Sequence, residues 1–169
     1  MKKLLLFCFV ICLLLTGCDS SGLPRKDTYN DITYQVPSAW KKDVHDVSFN
    51  YTLYPGLFMV ASKVMGNSNI SFGDDFIKSN LDDAADGMYS GLPGTNLSHS
   101  EYLRVSSNLL AKKFSCCTSL YNQIYNVTAL IFIYDNILYS FMIAEPSNVT
   151  QKYTGTFEEI IKSIEIIKN

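Results

Sequence analysis

The sequence has no hydrophobic run near its start that is long enough to cross a membrane. The apolar stretch from Leu4 to Leu15 has twelve residues, whereas a transmembrane helix needs about 20. Residues that build reactive sites are also scarce, with two histidines, one tryptophan and five cysteines, three of these within the first 18 residues. This composition excludes a membrane span in that stretch and a disulfide-stapled scaffold.

Sequence signatures of catalysis and cofactor binding are absent as well. The chain contains no G-x-S-x-G, no Walker A motif, no G-x-G-x-x-G and no C-x-x-C. Its histidines, His45 and His99, lie in polar stretches without a Cys, Asp or Glu at ligand spacing, which predicts surface positions and no zinc site. We therefore expect no catalytic, metal-binding or cofactor-binding residues and no cofactor.

One acidic cluster invites a calcium interpretation. It consists of Asp82, Asp83, Asp86 and Gly87. A calcium loop beginning at Asp82 would have alanine at its third position and Pro93 where a bidentate glutamate belongs. The aspartates also fall on the polar side of a helix pattern, so the sequence favours a solvated helix face.

The N-terminal segment has a clear signature instead. Lys2 and Lys3 precede the apolar run, which has the length of a secretory h-region. The run ends in Leu15-Thr16-Gly17-Cys18, which resembles the bacterial lipobox. The resemblance implies cleavage between Gly17 and Cys18 and attachment of a diacylglyceryl group to the Cys18 thiol. An ordinary signal peptide with an incidental cysteine is the alternative.

This interpretation divides the chain into three parts. Residues 1–17 are a signal peptide, residues 18–27 a lipidated tether, and residues 28–169 a single domain. Because two acyl chains anchor a protein stably, we expect it at the cell membrane, lipid-anchored and facing outside the cytoplasm. Loss of Lys2 and Lys3 leaves 12 basic and 16 acidic side chains, a net charge of −4. That charge argues against binding to nucleic acid and against electrostatic docking to anionic lipid.

The two remaining cysteines are neighbours. Adjacent residues of a strand point to opposite faces, so Cys116 and Cys117 are not expected to bond to each other. We predict that both are reduced and buried, one on each side of a sheet.

The periodicity predicts an α+β fold. Strand patterns appear in residues 32–36, 47–53 and 57–65, and a helix pattern begins near Ser71. One or two strands cover residues 97–118, broken near Ser107. The next two strand runs flank Asp135-Asn136 and are apolar on both faces, so both faces must be covered. With a last helix pattern extending to Ile164, the sequence predicts a three-layer α/β/α sandwich with a central, mainly antiparallel sheet.

The order of these elements carries a resemblance. A strand leading to Pro37-Ser38-Ala39-Trp40, a strand pair, a helix, a long hairpin and the closing segment FEEIIKSIEI resemble the PsbP-like fold over residues 28–169. An extrinsic photosystem subunit, a Ran-binding nuclear factor and many small bacterial lipoproteins share that fold. Because they share no catalytic residues, the resemblance implies a fold and no site.

The sequence thus favours a non-enzymatic, lipid-anchored binding or accessory module. Its membrane partner would be held through the lipid, with a further protein partner expected in the envelope. Two alternatives stay open: a membrane-tethered hydrolase using a serine and His99 or His45, and a structural subunit of an envelope assembly. The ligand and the oligomeric state are left open.

Overall fold

The computed structural model describes residues 25–44, 48–53, 57–65, 73–92, 95–106, 108–120, 122–148 and 153–167. These ranges form ten strands and two helices: β1 (Arg25–Tyr29), β2 (Ile32–Val36), β3 (Lys41–Val44), β4 (Ser48–Leu53), β5 (Leu57–Met65), α1 (Asp74–Ser90), β6 (Asn96–Val105), β7 (Leu109–Leu120), β8 (Gln123–Tyr134), β9 (Ile137–Pro146), α2 (Thr154–Lys162) and β10 (Glu165–Ile166). Neither helix is both long and apolar enough to cross a membrane.

Seven strands form one antiparallel sheet in the order β3-β4-β5-β9-β8-β7-β6. Its centre is the hairpin of β8 and β9, whose register runs from Tyr125 opposite Pro146 to Tyr134 opposite Ile137. The turn residues Asp135 and Asn136 have φ values of 48° and 59°. Positive φ at both positions is what a tight hairpin turn requires, and Asp and Asn tolerate it. The predicted hairpin is confirmed.

The remaining strands form a small separate sheet in the order β1-β2-β10. β2 pairs with β1 from Arg25 opposite Val36 to Tyr29 opposite Ile32, and with the short β10 on its other side. The small sheet therefore joins the first and last strands of the described chain.

The two faces of the large sheet have different covers. On one face, α1 packs Leu81 and Ala85 against residues of β7 and β8, including Phe114 and Ile131. On the other face, the small sheet and α2 together enclose the larger core. Its buried side chains come from β2, the β2–β3 turn, β6 to β9, α2 and the link from α2 to β10: Ile32, Tyr34, Val36, Trp40, Val105, Ala111, Leu130, Phe132, Tyr139, Phe141, Ile143, Phe157, Ile160, Ile161 and Ile164.

The predicted three-layer α/β/α sandwich is wrong, because the described residues are mostly strand and form two antiparallel sheets with only two helices. The apolar alternation of Ile32, Tyr34 and Val36 indicates a half-buried strand, but β2 belongs to the small sheet and forms part of the cover. The last helix is also shorter than the sequence pattern predicts, which extends to Ile164. α2 ends at Lys162, and Glu165–Ile166 forms β10.

Other expectations about local structure are confirmed, and two strands are additional. α1 occupies the predicted helix region, and β6 and β7 are separated close to Ser107. The additional strands, β1 and β3, are rich in charged residues and show no apolar alternation. β1 begins at Arg25, three residues before the predicted start of the domain.

Candidate functional site

The predicted lipidation site, Cys18, and the cleavage residue Gly17 lie outside the described residues, as does His45. His99 is described, and it tests the hydrolase alternative. The β6–β7 register sets His99 opposite Ser115, beside an irregularity between Leu97 and His99. The pairing of a histidine with a serine is the arrangement that a hydrolase would need.

The side chains do not complete that arrangement. The Ser115 hydroxyl pairs with the Thr128 hydroxyl at 3.2 Å. The His99 imidazole is 63% exposed, and its Nε2 lies 3.8 Å from a carboxylate oxygen of Glu101. Among the residues that the structure describes, no hydrogen bond joins His99 to a serine. His99 and Ser115 are therefore opposite each other in register but are not joined by a hydrogen bond.

The neighbouring cysteines project to opposite faces of β7, as predicted. Cys116 is buried with Val127 on the α1 side, and burial raises the pKa of its thiol. Cys117 is only half-buried, so the prediction that both are buried is wrong for this residue. Its Sγ donates to Oδ1 of Asn126 at 3.3 Å. Both thiols are free.

One member of the acidic cluster on α1, Asp82, attaches the helix to the sheet. Asp82 accepts hydrogen bonds from the Tyr102 hydroxyl and the Lys112 ammonium. These bonds, first from Lys112 and then from Tyr102, lower the pKa of Asp82. Desolvation and the bond to Asp82 raise the pKa of Tyr102 to about 12. Within the described ranges, no three His, Cys, Asp or Glu side chains are grouped so that they could hold a metal ion.

Lys113 makes the equivalent attachment on the opposite face. Its ammonium lies 3.2 Å from Glu101 of β6 and 2.5 Å from Glu158 of α2. Burial alone lowers the pKa of Lys113, but the two carboxylates outweigh burial and the pKa is raised. Lys112 and Lys113 thus each connect β7 to a covering helix.

Trp40 lies where the small sheet meets the large one, and it is contacted by Arg25, Pro37 and Tyr153. The Trp40 amide donates to Pro37 at 3.0 Å and closes the Pro37-to-Trp40 turn. Nη1 of Arg25 donates to the Trp40 carbonyl at 2.9 Å, and the Arg25 guanidinium pairs with Asp27 at 3.0 Å. The indole is 5% exposed and lies edge-on to Tyr153 at 6.3 Å. Arg25 therefore fixes the start of the domain to this turn.

Glu145 of β9 binds Tyr153, the aromatic neighbour of Trp40, through its backbone. Its carboxylate is 4% exposed and accepts hydrogen bonds from the Tyr153 amide and the Thr154 hydroxyl, both at 2.8 Å. A carboxylate in that position stabilises the first turn of α2 and satisfies an amide that the helix leaves unpaired. Sequence reasoning missed Glu145. The available signal was a single carboxylate inside an otherwise apolar strand.

A shallow groove of about 380 Å³ lies between the end of β2 and α2. The groove is lined by Gln35, Val36, Pro37, Thr156, Ile160 and Ser163, with Glu159 and Lys162 paired at 2.9 Å along its rim. The backbone N–H of Gln35 donates to the Ser163 hydroxyl at 2.8 Å. An apolar floor with a polar rim can receive a side chain of a partner.

No protein-family model matches the sequence, and no curated protein matches it. Solved structures do. Cyanobacterial PsbP from Synechocystis matches at 12% identity with a TM-score of 0.61, covering 90% of this chain and 99% of that one. LpqN of Mycobacterium tuberculosis, described as involved in cell envelope biogenesis, matches at 14% identity with a TM-score of 0.60, covering 88% of each chain. A protein of Bacteroides thetaiotaomicron matches at 17% identity with a TM-score of 0.59, covering 86% of this chain and 49% of that one.

These likenesses bear on the fold alone, because the sequence identities are low. They confirm the resemblance to the PsbP-like fold. The same fold carries unrelated functions in different proteins, so residue roles are not transferred from these structures.

Proposed function

We propose that this protein is a lipid-anchored module that faces outside the cytoplasm and acts by binding another component of the cell envelope. The observation that carries the proposal is the sequence Leu15-Thr16-Gly17-Cys18 directly after a twelve-residue apolar run. A thiol at that position can take a diacylglyceryl group, and two acyl chains hold a protein stably on a bilayer. The structural likeness to LpqN, a protein of envelope biogenesis, supports the same location.

Two observations support binding rather than catalysis. The Ser115 hydroxyl opposite His99 is paired with Thr128, so the arrangement that would favour a hydrolase lacks its central hydrogen bond. The groove beside α2 offers an apolar floor and a paired ionic rim, which suit contact with a partner's side chain. The groove thus has the composition of a recognition surface.

The anchor is tested by analysing the N-terminus of the protein purified from its native membrane. We expect mass spectrometry to show a chain that starts at Cys18 and carries acyl groups. The Cys18→Ser variant is expected to remain an unprocessed precursor without acyl groups. Cys12→Ser is the matched control, because it changes a cysteine in the same segment and leaves the lipobox intact. An unmodified N-terminus at another residue would refute the anchor.

Binding to a partner is tested separately, by crosslinking the lipidated protein in intact envelopes before solubilisation in detergent. A partner recovered with wild type and with Cys116→Ala, but lost when the groove is filled by Ser163→Trp, would support an accessory module acting through this groove. Reaction of a serine with a fluorophosphonate probe, abolished by His99→Ala, would contradict the non-enzymatic proposal.

A further inference from the structure

The seven-stranded sheet ends in two edge strands that differ in length and composition. β3 has the sequence KKDV, and a short, lysine-rich edge resists pairing with another chain. β6 has ten residues and no lysine, and among the described strands it pairs only with β7. Every second residue of an edge strand directs its N–H and C=O groups away from the sheet. β6 therefore offers a template on which a further strand can be added.

The two helices pack away from this edge. α1 lies over β7 and β8, and α2 lies against β2. Two large apolar side chains of β6 are exposed, Leu97 at 46% and Tyr102 at 40%. The Tyr102 hydroxyl bonds Asp82 of α1, while the ring beside it is accessible from the edge. Exposed apolar side chains on a long edge strand favour pairing with another chain.

The register with β7 places two ionisable side chains symmetrically about Ser100. His99 lies one level before Ser100 along the edge, and Glu101 lies one level after it. The two side chains are 63% and 45% exposed. They lie on the face that α2 and the small sheet cover, since Glu101 pairs there with Lys113. A histidine and a carboxylate at equal distances from one centre can each face the other in a second copy.

The exposed apolar side chains are symmetric about the same residue. On β7, the partners of Leu97 and Tyr102 lie two residues to either side of the partner of Ser100. This symmetry arises because the irregularity in β6 adds one residue, Ser98, after Leu97. Both side chains lie on the α1 side of the sheet, as the burial of Cys116 opposite Leu97 and the bond from Tyr102 to α1 indicate.

We propose that β6 pairs antiparallel with β6 of a second copy of this protein, with Ser100 of the two copies opposite each other on the two-fold axis. In this register, His99 of each copy lies opposite Glu101 of the other, and Leu97 lies opposite Tyr102. Each copy supplies both members of each pair, so every pair occurs twice. A self-complementary patch of this kind is what an isologous dimer interface requires.

Two neighbouring registers lose this complementarity. Moving the axis by one residue to Glu101 sets the two carboxylates opposite each other, and like charges directly opposite destabilise a sheet. Moving it to Tyr102 sets Glu101 opposite Leu103, so that a carboxylate faces an apolar side chain. The ionisable and apolar groups of β6 thus favour the register centred on Ser100.

Pairing of this kind is closed. The two-fold axis is perpendicular to the sheet, so both small sheets, and with them both Arg25 residues, lie on the same side of the joined sheet. The outer edges of the joined sheet are the two β3 strands, which resist the addition of a third copy. The pairing does not depend on the proposed lipid at Cys18, and its geometry is compatible with two such anchors in one membrane.

A cysteine on the axis tests the pairing directly. Directly opposite residues of antiparallel strands have Cα atoms about 4.5–5.5 Å apart, which a disulfide can span. The protein is purified in mild detergent, with Cys116 and Cys117 replaced by alanine, and is then oxidised. We expect Ser100→Cys in this background to become mostly covalent dimer, several-fold more than Ser147→Cys. Ser147 is the matched control, because it is exposed and follows β9, three strands from β6.

The background without an added cysteine reports any crosslinking through other thiols. A covalent dimer that forms with Ser100→Cys, and neither with Ser147→Cys nor in the background, supports the pairing. Equal crosslinking of Ser100→Cys and Ser147→Cys would overturn it, as would a Ser100→Cys variant that stays monomeric.

The register has a reciprocal charge test, read as the dissociation constant of the dimer from sedimentation in the same detergent. His99→Glu sets a second carboxylate opposite Glu101, and Glu101→Lys sets a cation opposite His99. We expect each single variant to weaken the dimer about tenfold, since each changes two symmetric pairs. The double variant His99→Glu/Glu101→Lys should dimerise at least as tightly as wild type. Because Glu101 also binds Lys113, the rescue decides, and a double variant no tighter than the single variants would overturn the register.

Discussion

The two faces of the seven-stranded sheet are stabilised differently, and neighbouring residues of one strand show the difference. On β8, Ile131 faces α1 and Phe132 faces the small sheet and α2. The α1 face is closed by one helix with two fully buried side chains, Leu81 and Ala85. The other face is closed by residues from two separate elements. A strand that is buried on both faces can thus be covered by a single helix on one face and by a helix and a sheet with a larger core on the other.

The largest effects are expected from truncating this pair. Ile131 and Phe132 are both 0% exposed, and the Phe132 ring stacks on Tyr139 at 5.4 Å and on Phe141 at 6.0 Å. We expect Ile131→Ala to lower the free energy of unfolding by about 2–5 kcal/mol and Phe132→Ala by about 3–5 kcal/mol. Urea denaturation measures both. A nearly neutral result for either would show that its face is not closed.

The next largest effect concerns the N-terminus of α2. A side chain caps this helix, whereas the described N-terminus of α1 has no side-chain cap. Glu145 bonds the first turn of α2, whereas the N-cap of α1 is Gly73, which offers no side-chain bond. Replacing the buried carboxylate by an amide in Glu145→Gln keeps one acceptor but removes the charge. We expect a loss of about 1–3 kcal/mol. Glu159→Gln, on the exposed side of α2, is the control and should be nearly neutral.

Smaller effects are expected from the two lysines of β7, and their pH dependence should differ in sign. The pKa of Asp82 is lowered, so its contribution to stability is present above pH of about 4 and is lost as the pH falls through the folded value. The pKa of Lys113 is raised, so its contribution is present below its ordinary value and is lost as the pH rises through the folded value.

Lys112→Met and Lys113→Met turn this difference into a measurement. Because the carboxylates are partly exposed, we expect each variant to lose no more than about 1 kcal/mol near neutral pH. The deficit of Lys112→Met should shrink in acid and that of Lys113→Met in alkali, when urea midpoints are compared over a pH series. Parallel profiles for the two variants would contradict the lowered pKa of Asp82 and the raised pKa of Lys113.

The smallest expected effect concerns the two thiols, which are compared by their rates of chemical modification in the folded protein. Cys116 is 2% exposed and its pKa is raised by burial, while Cys117 is half-buried on the other face. A thiol reagent should therefore modify Cys117 first and Cys116 only after denaturant is added. Cys117→Ala should remove the fast phase, and Cys116→Ala should leave it unchanged. A fast phase that survives in Cys117→Ala would contradict this order.

Local patterns in the sequence predict the centre of the fold well. Double-sided apolar runs and the pair Asp135-Asn136 identify the β8–β9 hairpin, because burial and turn geometry there depend on nearby residues. The same patterns cannot tell which element covers a buried face. β2 alternates as a strand of the main sheet would, and only the pairing with β1 and β10 assigns it to the second sheet.

The candidate site was less predictable than the fold. Composition contains no information on position, and the structure joins Arg25 to the Trp40 carbonyl from a separate stretch of chain. Glu145 acts through an amide of Tyr153, eight residues later, and no spacing rule indicates that bond. The lipobox stays a prediction from sequence, since Gly17 and Cys18 lie outside the described residues.

The pairing of β2 with β10 has a consequence for how the chain folds during synthesis. Thr33 and Glu165 are hydrogen-bonded across 132 positions, and the core face of β2 packs on side chains of α2. A chain that emerges from its N-terminus exposes Ile32, Tyr34 and Val36 until residues 157–166 follow. Closing so long a loop is slow. The nascent chain therefore exposes the apolar side chains of β2 to solvent for most of its synthesis. Exposed apolar segments of this kind are what holding chaperones bind.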